Sequence, residues 1–256
     1  MNLKINQEEM DIMGFTVLGK LLSNDDVEFF YHDLISRKRL HRAQHGEENL
    51  KKYGENQILR DLVCVHPKYA KVIESAWFNE FVDTVLNEKA IVHGSHGIIT
   101  DFQEDNGIPS KFHRDSPWLG EVRACVLILM PLVDFTEDTG ATEYVPGTHL
   151  FKEKPSDEFL ERNKKKVLVP AGTVVALDGT TWHRAGKNRT QTQRPLLQIN
   201  VQLPFLKQQI NPWSDERYKG CSDLVKKRMG YNVRCYDHPD QMLTEDRNWK
   251  SGNYAT

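Results

Sequence analysis

Apolar residues follow two spacings along this chain, a helical one before about residue 90 and a strand-like one after it. Near the start, Gly14-Phe15-Thr16-Val17-Leu18 reads as a short strand, and Ser23, Asn24, Asp25 and Asp26 supply caps for a helix predicted to run to about Arg39. Val27, Phe30, Leu34 and Ile35 share one face of it. The polar stretch 42–57 keeps no period and is expected to be a loop. Pro67 then opens a second predicted helix, to about Asn87, whose apolar face is supplied by Ala70, Ile73, Trp77, Phe81 and Leu86.

From His93 onward the pattern changes to short β-rich runs separated by Gly, Pro and Asn, as in a sandwich or barrel. The candidate strands are 92–100, 110–117, 122–133, 142–146, 166–169, 173–178, 182–187 and 195–203. Residues 126–133 are nearly all apolar, as in a strand covered on both faces. Leu197, Ile199, Val201 and Leu203 alternate instead with Gln198, Asn200 and Gln202, giving one dry and one polar face. Eight short strands are enough for a double-sheet jelly roll. The expectation is one mainly β domain over 1–256, with helical support at about 20–90, a jelly-roll core at about 91–204 and a C-terminal extension or lid at 205–256.

Composition narrows the class only by exclusion. No apolar run approaches the roughly 20 residues that span a bilayer, and the N-terminus lacks the layout of a secretory signal, so a cytoplasmic protein without a membrane partner is expected. Thirty-four basic against 36 acidic side chains leave no field to recruit nucleic acid. The basic run 162–166 has no interleaved aromatics and reads as a solvated loop. Cys64, Cys125, Cys221 and Cys235 are widely spread, which argues for reduced thiols rather than a disulfide framework or a thiolate zinc site. Oligomeric state leaves no mark.

The chemistry begins at His113-Arg114-Asp115. Two residues apart in an extended chain, an imidazole and a carboxylate lie on one face and can reach one ion. A histidine from a distant strand would complete two imidazoles and one carboxylate on one side of a metal, leaving positions open for cosubstrate and oxygen. His183 is the candidate. The pair alone is weak evidence, because His238-Pro239-Asp240 repeats it and His45-Gly46-Glu47 offers its Glu version. Only His113 and Asp115 enter the β-rich region with a later histidine on another strand. His93 and His96, three apart in a strand, should face opposite ways, and His149 falls in a turn; all three read as structural.

An oxygenase with such a triad needs two electrons from elsewhere, which 2-oxoglutarate supplies while chelating iron; its far carboxylate then needs a fixed cation. Arg194 stands eleven positions after His183, on the strand face shared with Leu196, Gln198 and Asn200, and its guanidinium offers a two-pronged fork. Arg184 and Arg189 compete for the same task.

These residues resemble the phytanoyl-CoA dioxygenase family of iron(II)/2-oxoglutarate oxygenases. The resemblance runs over most of 10–204, through Gly14-Phe15, His113 and Asp115, the segment from Thr139-Gly140-Ala141-Thr142 to Pro146-Gly147-Thr148-His149, His183 and Arg194. It implies a double-stranded β-helix, iron(II) on His113, Asp115 and His183, and 2-oxoglutarate held by Arg194 with Thr142. Where relatives carry a glutamine just before the H-x-D pair, this chain has Ser110, Lys111 and Phe112, so Ser110 is the candidate to replace that contact. Halogenating members of the superfamily replace the carboxylate with a small residue; Asp115 is present, which favours hydroxylation or a related oxidation.

The resulting expectation is a dioxygenase that consumes 2-oxoglutarate and O2, releases succinate and CO2, and oxidises a C–H bond of a small organic substrate. Trp118, Trp182 and Phe112 are candidates to wall the pocket, and Gln198 and Asn200 to face the substrate. A zinc hydrolase on the same triad and a non-catalytic jelly-roll binding module are the alternatives.

Overall fold

The computed structural model describes residues 1–102, 110–212, 215–233, 235 and 238–240. It opens with a helix, α1 (Leu3–Met13), to which the hydrophobic pattern had assigned nothing. The ends of α1 are written in its caps: the Asn2 side chain accepts from the Ile5 amide, and Gly14 closes the helix at φ 68°. Strand β1 (Phe15–Lys20) follows, then α2 (Asn24–His45), capped by the Ser23 hydroxyl and longer than expected. The predicted loop 42–57 is largely helical, because Gly46 at φ 75° only breaks the chain between α2 and α3 (Glu47–Lys52). Just one side chain of α3, Leu50, is buried, so no period could show. After β2 (Ile58–Arg60), the second predicted helix is two, α4 (Pro67–Glu74) and α5 (Ala76–Val85). Ser75 separates them in extended geometry, its hydroxyl donating to the Val72 carbonyl at 2.6 Å.

The β-rich half holds β3 (Ile91–Thr100), β4 (Cys125–Pro131), β5 (Glu143–Tyr144), β6 (Lys165–Lys166) after helix α6 (Asp157–Asn163), β7 (Thr173–Asp178), β8 (His183–Arg184) and β9 (Arg194–Gln202); α7 (Asp223–Arg228) comes last. The six-stranded sheet runs β1-β7-β4-β9-β3-β2 and the three-stranded sheet β6-β5-β8, with every strand pairing antiparallel. This is the expected jelly roll. The run 110–117 is not a strand; it touches the small sheet through one bridge, His113 to His183, and then turns as the Asp115 and Ser116 amides both donate to the Gly179 carbonyl. The basic run 162–166 is the end of α6 and the edge strand β6 rather than a loop, and Lys164 and Lys166 pair with Glu161 and Glu137.

Alternation along β4 shows how the layers form. Val126, Ile128 and Met130 join Leu197, Ile199 and Val201 of β9 in a core shared with Phe30, Leu34, Phe78 and Phe81 of the helices. Leu127 and Leu129 turn the other way, to a second core between the sheets with Phe15, Phe135, Tyr144 and Val175. Both faces of β4 are therefore dry, and its seven residues are all buried. Cys64 and Cys221, distant in sequence, come side by side as free thiols, and burial pushes the Cys64 thiol up. No helix among the described residues is long and apolar enough to cross a membrane. The proposed lid falls partly outside the described residues, which hold 205–212, 215–233, 235 and 238–240 of it.

Candidate active site

The small sheet brings two imidazoles together through its backbone. His113 N donates to His183 O at 3.0 Å and His183 N to His113 O at 3.1 Å, a hydrogen-bonded cross-strand pair whose side chains leave on one face. Their ring centroids are 4.4 Å apart. Asp115, two residues on, turns to the same point: its Oδ1 lies 3.3 Å from His113 Nε2 and 3.9 Å from His183 Nε2. One donor atom from each of the three falls within 4.8 Å of the others.

Each ring is oriented by a carbonyl two residues before it. His113 Nδ1 lies 2.8 Å from Lys111 O and His183 Nδ1 2.9 Å from Thr181 O. A carbonyl only accepts, so both Nδ1 atoms carry the proton and both Nε2 lone pairs face the shared point. Burial alone would push the Asp115 carboxyl up, but the neighbouring His113, His183 and His96 imidazoles hold it below the usual carboxylate range. Burial drives His183 below the ordinary imidazole value, whereas His113, half-buried, is raised by the adjacent Asp115 carboxylate. One anion and two inward-facing imidazole nitrogens at one point are the donor set of a divalent cation.

A cavity of about 440 Å³ opens beside this cluster. Its floor is one face of β9, where Arg194, Leu196, Gln198, Asn200 and Gln202 all line it while Leu197, Ile199 and Val201 point into the helix-side core. Thr142 lines it as well, and so does part of Arg184. Ser110, Trp118, Phe112 and Trp182 are not among the described lining residues. Phe112 instead lies 4.3 Å under the Arg184 guanidinium, and Trp182 lies 4.9 Å under that of Arg114.

Arg194 is 2% exposed. It donates to Gly140 O and, at 2.9 Å, to Thr100 Oγ1, and it lies 5.0 Å over the Phe135 ring. Its Nε has no partner, and no described carboxylate pairs with it. Burial brings its pKa down to about 10. The other fully buried arginine, Arg228, has Asp83 as counterion, and Arg184 is held by Glu143 and Glu161. Of these two buried arginines, the one without an anion is thus the one that lines the cavity.

Two lining residues contradict the sequence reading. His93 and His96 face the same way because β3 carries a bulge: Val92 pairs with Val201 and Gly94 with Asn200, leaving His93 as the extra residue. His96 then stands opposite Gln198. The His93-Gly94 step was the visible signal, since glycine inside a strand often marks a bulge. His149, as expected, is structural; its Nε2 lies 3.1 Å from Asp11 O. His238 and Asp240 pair with each other in an exposed position, and His45 stacks on His41 at the end of α2.

An antiparallel jelly roll with two imidazoles and a carboxylate converging at the mouth of its barrel has the architecture of the non-haem oxygenases. The pattern of the phytanoyl-CoA dioxygenase (PhyH) family matches residues 12–196, and the chain belongs to that family. The uncharacterized protein Rv1501 of Mycobacterium tuberculosis is 32% identical over 216 residues, which are 80% of this chain and 77% of that one. Dioxygenase trt7 of Aspergillus terreus is 23% identical over 187 residues, 70% of this chain and 62% of its own length. Among solved structures, HygX of Streptomyces hygroscopicus with nickel and 2-oxoglutarate bound superposes with a TM-score of 0.64 at 18% identity, covering 80% of this chain and 88% of HygX.

Proposed function

We propose that this protein is an iron(II)- and 2-oxoglutarate-dependent dioxygenase that oxidises, most simply by hydroxylation, a C–H bond of a small organic molecule. The observation that carries the reading is Arg194: a buried guanidinium without a counterion, lining the same cavity as the His113, Asp115 and His183 cluster. A zinc hydrolase would need the cluster but gives that cation no task.

The residues fit both groups. His113, Asp115 and His183 would hold the ferrous ion, whose remaining positions accept a chelating 2-oxo acid. Arg194 would take the far carboxylate, filling the place of its missing anion, with Thr142 and Thr100 as neighbouring hydroxyls. When bound, iron and 2-oxoglutarate supply the two-electron reduction of O2 that accompanies loss of CO2 and formation of succinate. The protein's own share is positional. Lys111 O and Thr181 O fix both imidazoles, the neighbouring imidazoles favour the ionised form of Asp115, and the Leu196, Ile98 and Leu129 side chains dry the space between Arg194 and the polar end of the cavity. Anaerobic titration of the protein with iron(II) and 2-oxoglutarate tests the reading. A visible metal-to-ligand charge-transfer band and succinate release under air are expected; a protein that hydrolyses esters or amides with zinc and shows no such band would refute it.

A further inference from the structure

The cavity has a second polar end, away from Arg194, that the chemistry above does not use. Resting on that reading, we infer that His93 and His96 of β3, with Gln198 and Asn200 of the neighbouring β9, form the wall that recognises the substrate, and that the substrate is a hydroxyl-rich molecule such as a cyclitol or glycoside.

The bulge at His93 is what makes the wall. Without the extra residue, one of the two imidazoles would face the helices; with it, both enter the cavity beside Asn200 and Gln198. Gly94 makes room, since a Cβ there would lie 2.6 Å from His96 Cε1. Neither imidazole has a hydrogen-bond partner among the described residues, and Nδ1 of each is buried without one. His96 is only 6% exposed, so its unmade bonds are sheltered from bulk water. Gln198 Nε2 donates to Asn200 Oδ1 at 2.7 Å, which consumes one donor and one acceptor and leaves Gln198 Oε1 and Asn200 Nδ2 facing the cavity.

The charge of this wall decides between ligand classes. Arg60, at its rim, is already neutralised by two bonds to Glu55 at 2.6 and 2.8 Å. Asp115 is the one carboxylate among the described lining residues, and it belongs to the metal cluster. Lys207 also lines the cavity but is exposed, and the wall itself, His93, His96, Gln198 and Asn200, carries donors and acceptors without a fixed charge, which a hydroxyl, being both, can satisfy. An acyl chain laid against it would bury two imidazoles and two amides unpaired. Sites built to bond a hydroxyl reject analogues lacking it for that reason. The wall and the His113, Asp115 and His183 cluster line the same cavity. Arg194 lies four residues from Gln198 along β9, about 13 Å away in an extended strand. Cosubstrate and substrate thus have separate ends of one cavity.

The test uses the full chain loaded anaerobically with iron(II) and 2-oxoglutarate, read by its charge-transfer band. Methyl glycosides and cyclitols form one panel; fatty acyl thioesters and terpenoid hydrocarbons form the other. The expected result is that members of the first panel shift the band and speed succinate release, and members of the second do neither. His96→Leu and Gln198→Leu should still form the band, showing that metal and cosubstrate assemble, while requiring at least about tenfold more glycoside or cyclitol for the shift, in line with the loss of one buried hydrogen bond. His96→Gln, which keeps a donor and an acceptor, should recover part of that loss. If the band forms but only thioesters or hydrocarbons shift it, or nothing in the first panel does, the substrate assignment is wrong. Failure of the unaltered protein to form the band would overturn the oxygenase reading, and this inference with it.

Discussion

Replacing Arg194 with methionine should cost the apo protein no more than about 3 kcal/mol of stability and yet remove most of its response to 2-oxoglutarate. The guanidinium is 2% exposed and has two acceptors but no anion. Burial lowers its pKa from 12.5 to about 10, a penalty on the charged form of about 3–4 kcal/mol at about 1.4 kcal/mol per unit. The sign follows from proton binding: the unfolded chain holds this proton more tightly, so at every pH below 10 the full penalty weighs against the fold. Methionine avoids that penalty and gives up two hydrogen bonds from a charged donor, together worth roughly 3–6 kcal/mol, so the net loss is at most about 3 kcal/mol. For the 2-oxo acid nothing cancels. Truncating one partner of a buried charge pair costs about 2–5 kcal/mol, or roughly 30- to 4,000-fold in affinity. Thermal unfolding with and without 2-oxoglutarate, in the presence of iron(II), separates the two effects. The unaltered protein should gain about 2.7 kcal/mol at a ligand concentration 100 times its Kd, and Arg194→Met should gain less than about 1 kcal/mol at that concentration. An apo protein destabilised by more than about 3 kcal/mol that still responds fully to 2-oxoglutarate would show that Arg194 serves the fold and not the ligand.

Asp115→Ala and His183→Ala should each lower iron(II) affinity by more than about 100-fold, since even outer partners of a ligand are worth about 10–100-fold; equilibrium dialysis measures this, and retention of iron would exclude the cluster as the metal site. Gly14→Ala should destabilise the fold by about 1–2 kcal/mol for its φ of 68° alone, and more because a Cβ would lie 2.6 Å from His149 Nδ1 and overlap Thr181 Oγ1. Because Thr181 O orients His183, that variant should also bind iron more weakly, and unchanged affinity would separate the two. Asp101 is opposed by burial but held at a pKa of about 2 by Lys38, Gln193 and Arg42. A depressed carboxyl stabilises above its unfolded value and loses that contribution as pH falls from about 4 to 2, so Asp101→Asn should cost about 2 kcal/mol in urea unfolding at pH 7 and much less near pH 2. An equal deficit at both pH values would assign the loss to packing.

Where the sequence was legible, one physical rule acted alone. Alternation along β9 placed Gln198 and Asn200 with Arg194 and sent Ile199 to the helix-side core, because a strand without a bulge keeps period two throughout. The same rule misled at His93 and His96, where one extra residue reverses the facing of everything beyond it. Helix α1 escaped the pattern because few of its side chains are buried, Asn6 and Met10 among them, although Asn2 and Gly14 mark both its ends. Trp118 and Trp182 were drawn toward the pocket by their size and position near the ligands. Trp182 instead lies beneath the Arg114 guanidinium, a pairing across distant segments that no local pattern encodes.

The candidate cluster of His113, Asp115 and His183 is supported largely by backbone atoms. The segment 178–183 leaves β7 of the large sheet and enters β8 of the small one, so it crosses between the layers where the three donors meet. Its Gly179 carbonyl accepts from the Asp115 and Ser116 amides, and the Gly179 amide donates to Cys125 O of β4. A side chain at 179 would press on Cys125 Cβ at 2.9 Å and Ser116 Cβ at 3.1 Å, so the close approach needs glycine. Farther along, Asp178 N and Thr181 Oγ1 both donate to Gly14 O at the end of α1. The three candidate donors, on two segments, are thereby referred to one short connection and, through it, to both sheets and a helix. Side chains elsewhere in the cavity can then change to suit a new substrate without displacing the donors, because the donors are located by amides and carbonyls that every residue carries.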